Sequence, residues 1–143
     1  LRMFILLLLS TLVLAINAGH QAVGVRGTLM CGNVPIRDAE VKLWELDTFP
    51  DPDDLLATVR TDSRGGFQIS GHESEVTTIS VAVKIYHRCN NKGLFNLPGL
   101  CKRKITYDVP KGYINGGKTV TKWYDMGVMN MEAKVRGEGT ECI

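Results

Sequence analysis

The chain has 143 residues, with 17 Lys and Arg against 15 Asp and Glu and a formal net charge of +2. A balance this close gives no electrostatic case for binding nucleic acid, which is met by a strongly basic face. After one apolar N-terminal segment, no run is long enough to span a bilayer, and the remainder is the size of a single domain.

Residues 1–18 begin with Arg2, continue through Phe4-Ile5-Leu6-Leu7-Leu8-Leu9, and end in small residues at Ala18-Gly19. A basic start, an apolar stretch of roughly 7–15 residues and a small-residue exit are the pattern of a secretory signal peptide. Cleavage is expected after Ala18, with Ala15 as the other candidate, leaving a secreted, extracellular domain over 19–143. Cys31, Cys89, Cys101 and Cys142 then make an even count in a secreted chain, which implies two disulfides in one of three connectivities. Cys89 and Cys101 bracket a loop-like stretch from Asn90-Asn91 to Pro98-Gly99. They are expected to pair, which leaves Cys31 with Cys142. No two cysteines sit at CxxC spacing and no His lies at ligand spacing beside them, so no zinc or other cofactor is expected.

The rest of the chain reads as β throughout. Val23, Val25, Gly27 and Leu29 alternate in a first strand that ends near Cys31, and Gly32-Asn33-Val34-Pro35 makes a turn. Val41–Leu46 alternates again, and Asp47–Asp54, with two prolines, is a loop. Leu55–Thr61 is a short strand, followed by the turn Asp62-Ser63-Arg64-Gly65-Gly66 and the strand Phe67–Ile69. Ile79–Ile85 sends Ile79, Val81, Val83 and Ile85 to one face. Lys104–Val109 is stopped by Pro110, and Val120–Val135 is a last long strand with a bulge at Gly127. Glu73–Thr78 is the one place for a short helix. Seven or eight short strands with one apolar face each predict an all-β, two-sheet antiparallel sandwich.

The residues also carry a resemblance. Gly27-Thr28-Leu29-Met30-Cys31, the Pro35 turn and Val41-Lys42-Leu43-Trp44-Glu45 resemble the opening of the nematode transthyretin-like family. The similarity continues through Thr61-Asp62-Ser63-Arg64-Gly65-Gly66-Phe67, Tyr86-His87-Arg88-Cys89, Pro110-Lys111-Gly112-Tyr113 and Trp123-Tyr124-Asp125-Met126-Gly127. It implies a prealbumin-like sandwich and a secreted binding or adaptor protein. Some members look like bridging proteins that recognise phosphatidylserine and a cell-surface receptor. Carriage of a small apolar ligand, as in vertebrate transthyretin, is the alternative. The same fold hosts hydroxyisourate hydrolase, which needs paired histidines, an arginine and a C-terminal Tyr-Arg-Gly-Ser. This chain ends Glu141-Cys142-Ile143 and is not expected to be an enzyme.

Among its histidines, His20 falls in the first residues of the mature chain, expected to fray. His72 reads as a solvated turn residue, and His87 as a hydrogen-bonded structural group on the inward face of its strand. The binding residues singled out are Arg88, Lys92, Lys102, Arg103 and Lys104, with the apolar Leu94, Phe95 and Leu97 between them. A basic collar around an apolar tip suits an anionic bilayer or cell surface. The opposing reading folds the apolar residues back over the open end of the sandwich. Asp51, Asp53 and Asp54, beside Asp47, form a weak calcium candidate. The competing role for them is capping of local backbone amides. Trp44, Phe67, Tyr107 and Trp123, with Met126, Met129 and Met131, read as packing residues. The oligomeric state is not legible.

Overall fold

The computed structural model describes residues 2–4, 19–91 and 99–142. Nearly all of the segment read as a signal peptide therefore lies outside the described residues, as do Lys92, Leu94, Phe95 and Leu97. Among the described residues, no helix is long and apolar enough to cross a membrane.

The chain folds as β1 (His20–Cys31), β2 (Val34–Pro35), β3 (Glu40–Glu45), β4 (Asp54–Arg60) and β5 (Gly66–Ser74). It continues as β6 (Val81–His87), β7 (Cys101–Asp108), β8 (Asn115–Gly116), β9 (Tyr124–Asn130) and β10 (Gly139–Cys142). The expected two-sheet all-β sandwich is what forms. In the first sheet, β1 is the spine, pairing with β2, β5, β8 and β9. The second sheet has the order β10-β7-β6-β3-β4 and is antiparallel throughout. The core between the sheets is filled by Leu29 and Ile69 from the first and Leu43, Ile85 and Ile105 from the second, all fully buried. Truncating any of these aliphatic residues to Ala costs about 2–5 kcal/mol, because the surroundings close only partly over the void.

The Asp62–Gly66 turn forms as its residues require. Asp62 Oδ1 accepts from the amides of Arg64 and Gly66 at 2.9 and 2.8 Å. Gly65 sits at φ +80°, where an added Cβ would fall 2.2 Å from the Leu29 carbonyl oxygen. Only glycine fits both the angle and the space.

Several expectations change. Val120–Val135 is not one strand: only Tyr124–Asn130 pairs, and it runs parallel to β1, with the bulge at Gly127 opposite Gly27. The chain then turns back as β10 along the free edge of β7. Glu73–Thr78 is not helical, because β5 continues through Ser74 in register with His20 of β1. That same pairing makes His20 a strand residue and not a frayed end, and puts His72, exposed, in β5 opposite Ala22.

The disulfides change as well. All four cysteines are bridged, but the bonds are Cys31–Cys89 and Cys101–Cys142 and not Cys89–Cys101 with Cys31–Cys142. Pairing of β10 with β7 brings Cys142 directly opposite Cys101. Cys89, buried just past the end of β6, then meets Cys31 at the end of β1 and ties the two sheets together. The bridges span 58 and 41 residues. Loops of that size are each worth about 4 kcal/mol of denatured-state entropy. Proteolysis of the unreduced protein is expected to release the peptides bearing Cys31 and Cys89 as one cross-linked species, and those bearing Cys101 and Cys142 as another. Mass spectrometry that found Cys89 joined to Cys101 would overturn this arrangement.

Candidate functional site

Alternation along the second sheet sends one row of side chains inward and the other outward. The outward row holds Glu40, Lys42 and Trp44 on β3, Lys84 and Tyr86 on β6, and Lys102, Lys104, Thr106 and Asp108 on β7, with Glu141 of β10 opposite Lys102. Strand register sets Lys42 beside Lys84 and Lys104 beside Tyr86. The ammonium groups lie over aromatic faces: Lys42 and Lys104 are 5.3 and 5.7 Å from the Tyr86 ring centre, and Lys84 is 5.0 Å from that of Trp44. Such contacts fix long side chains at little electrostatic cost, since an aromatic face attracts a cation without neutralising it. Glu40 takes Lys42 and Arg60 as ion-pair partners at 3.5 and 3.4 Å. Among the described residues, Lys84, Lys102 and Lys104 have no carboxylate within ion-pair distance. The face is net positive.

Of the sequence candidates, Arg88 and Lys102 do come together. They line a cleft of about 290 Å³ beside the Cys31–Cys89 bridge, with Arg37 across it. Pairing of β6 with β7 draws them close, with His87 opposite Arg103, and the expected Cys89–Cys101 bond plays no part. Lys104 continues the outward row from Lys102. Lys42 and Lys84 belong to the same surface but were not among the sequence candidates, and Trp44, expected to pack, stands on it beneath Lys84. They lie on two other strands, and only the sheet order makes them neighbours of Lys104.

Arg103 does not join that surface, contrary to expectation. It shares its parity on β7 with Ile105, so its side chain points into the protein, where the residue is 3% exposed. There Nη1 donates to the carbonyls of Cys89 and Met131, both at 2.7 Å, and Nη2 donates to that of Ala133 at 2.9 Å. Its Nη2 also reaches Glu138 Oε2 at 2.9 Å, and Nε pairs with the other carboxylate oxygen. The two parallel bonds make a bidentate, charge-assisted pair. The Arg103 guanidinium holds the Glu138 carboxyl below the usual carboxylate range.

His87, opposite Arg103 on β6, is 2% exposed. Its Nδ1 accepts from the Cys89 amide at 3.1 Å, as a structural histidine would, and Nε2 has no partner among the described residues. Burial, with the positive charge of Arg103, pushes its pKa down to about 4. The imidazole is neutral and enclosed in the core.

At the opposite end of the sandwich, the calcium candidate is rearranged. Asp53 Oδ1 caps the Asp47 amide at 3.1 Å, and Asp51 is an exposed loop residue. Neither joins a carboxylate cluster. Asp54 does, with Asp47 and with Glu45, whose inward parity on β3 leaves it 3% exposed. Burial, and then the charge of Asp47, raise the Glu45 carboxyl to about 7.

The class this defines is a disulfide-bridged two-sheet β-sandwich with a side-chain-filled interior, whose accessible chemistry lies on an outer sheet face. Comparison with known proteins gives the family. Residues 26–110, more than half of the chain, match the Transthyretin-like family. The chain is 42% identical to Transthyretin-like protein 5 of Caenorhabditis elegans, over 99% of each. It is 40% identical to Transthyretin-like protein 33 of the same nematode, covering 86% of this chain and 82% of that one. For Transthyretin-like protein 46 the identity is 42%, with coverage of 96% and 74%. The chain belongs to the transthyretin-like family.

Two outcomes follow from the buried groups. Arg103→Ala strands the Glu138 carboxylate and is expected to cost about 3–5 kcal/mol, read from urea denaturation. Arg103→Met combined with Glu138→Leu should cost much less than the two single changes added together. The second outcome concerns pH. His87 stays neutral in the folded state down to about 4, while the unfolded imidazole takes its proton near 6.5. Stability is therefore complete above the unfolded value and falls as pH drops between the two, because the unfolded state binds the extra proton. His87→Asn keeps an acceptor for the Cys89 amide and should lower the proton uptake on unfolding in that window by about one.

Proposed function

We infer that this protein is a secreted, extracellular binding module that docks on an anionic lipid surface through the outer face of its second sheet. The observation that carries the reading is the lysine row Lys42, Lys84, Lys102 and Lys104, three of them without a carboxylate partner among the described residues, with Lys42 and Lys104 over Tyr86 and Lys84 over Trp44. A sheet face is rigid, so its charges are preorganised and little entropy is lost when they meet a surface. Each basic residue near an anionic membrane contributes about 1 kcal/mol, which makes the row sufficient for reversible attachment. Arg37 and Arg88 add basic groups in the adjoining cleft, which Asp38 and Glu40 also line. The exposed Leu100 at the start of β7 supplies an apolar contact beside it. An apolar cargo finds the space between the sheets already filled by side chains, so the structure lends the carrier reading less support.

The experiment is sedimentation of the oxidised protein with vesicles of increasing phosphatidylserine content. Binding should rise with anionic lipid and weaken with added salt, which screens exposed charges. Lys84→Glu with Lys104→Glu should reduce binding by at least about tenfold, each reversal removing more than one favourable contact. Failure to sediment at any lipid composition would sink the lipid reading and turn the search to an acidic protein partner.

A further inference from the structure

Glu45 poses a problem that the rest of the sandwich does not solve. It ends β3 with the parity of Val41 and Leu43, so its side chain enters the interior, and it is 3% exposed. Its Oε2 is buried and has no hydrogen-bond partner among the described residues. An ionised carboxylate held out of water with an unmet oxygen is costly unless a compensating charge sits beside it. The protein groups beside it are of the wrong sign. Asp54 is its direct cross-strand neighbour on β4, and Asp47 follows two residues later. One oxygen from each of Glu45, Asp47 and Asp54 lies within 4.8 Å of the other two.

The surroundings hold these three in place. The Leu46 amide donates to the Ser80 carbonyl at 2.7 Å, anchoring the exit of β3 to the start of β6. The Asp53 cap on the Asp47 amide fixes the return of the loop. The cluster is therefore built from a strand end, a paired strand start and a capped loop, with the buried Glu45 carboxyl among them.

We propose that Glu45, Asp47 and Asp54 bind a calcium ion. The donors are all carboxylate oxygens with no histidine or cysteine among them, which is the hard set that calcium takes and that zinc or copper does not favour. Three carboxylates supply up to six oxygens, and two of the three residues reach solvent and leave room for water to complete a shell of six to eight. Magnesium is served less well, since it demands strict octahedral geometry and keeps most of its own water. A strand-end site with only three protein ligands belongs in the weak range of extracellular calcium modules, about 10⁻⁴–10⁻³ M.

The test is thermal unfolding and titration calorimetry of the oxidised protein with calcium chloride, and with magnesium chloride as the comparison. At about ten times the dissociation constant, calcium should raise the midpoint by about 4 °C and magnesium by much less. Asp47→Asn with Asp54→Asn should abolish both the heat and the shift, while Asp51→Asn, outside the cluster, should leave them intact. Glu45→Gln preserves the shape of the buried group and should also lose them, which decides the matter if the double variant does not fold. A wild-type protein that gives neither heat nor shift with calcium overturns the proposal. So does a shift that survives both Glu45→Gln and the Asp47/Asp54 pair, which would trace it to general screening of surface charge.

Discussion

A guanidinium leaves water only where its donors are met and its charge is balanced, and the carboxy-terminal quarter of this chain is organised around meeting that condition for Arg103. The side chain points inward because β7 alternates and Ile105 must be buried. The partners come from segments far apart in sequence. Cys89 offers a carbonyl from the end of β6, Met131 and Ala133 offer theirs from the stretch after β9, and Glu138 brings the counter-charge just before β10. Residues 131–138 carry no regular strand pairing; Met131 is held by its amide's bond to the Met30 carbonyl and by burial of its side chain, and Arg103 gathers the rest of the stretch against the sandwich. β10 is placed by its own pairing with β7, which sets Cys142 opposite Cys101 just beyond this cluster.

The same alternation that buries Arg103 exposes Lys102 and Lys104, and this division is what gives the second sheet two unlike faces. Inward, Val41, Leu43, Val83, Ile85 and Ile105 make the core. Outward, lysines and aromatic rings from three strands outnumber the carboxylates of Glu40, Asp108 and Glu141 and make a net basic surface. The two ends of the inward rows are where polar groups intrude: His87 with Arg103 at one end, Glu45 at the other. At the first end the charges cancel within the protein. At the second they are all of one sign, so the two ends invite different chemistry from solution, and the acidic end looks for a cation.

Much of the fold was legible from residues alone, because two-sheet sandwiches announce themselves in period-two alternation and in turn chemistry. The Asp62–Gly66 turn is an example: one side chain accepts from two amides within four residues, and every participant is local. The bulge at Gly127 was legible for the same reason, since only the bulged strand needs the unusual backbone angle. By contrast β8, two residues long, depends on Asn115. Its side chain amide donates to the carbonyls of Ala22, Tyr113 and Lys122 and accepts from the amides of Thr121 and Lys122. One buried amide gathers segments about 90 residues apart, and no local pattern signals it. Arg103 and Glu45 had a signal that went unused: each stands at the inward parity of its strand, where a charge predicts a buried partner.

The sequence by itself determined the sandwich, the positions of its principal strands, the use of all four cysteines and the family, because each of these rests on local periodicity or on short motifs. Only the tertiary structure decided which cysteines pair, which basic residues face solvent and which acidic residues converge. Each of those depends on strand order and register, and register is set by the packing of both faces of a sheet at once. A shift of one residue would have exchanged Arg103 with Lys104 and turned the basic surface into the core. That choice is made by the whole set of contacts across the sandwich, and no window of sequence contains it.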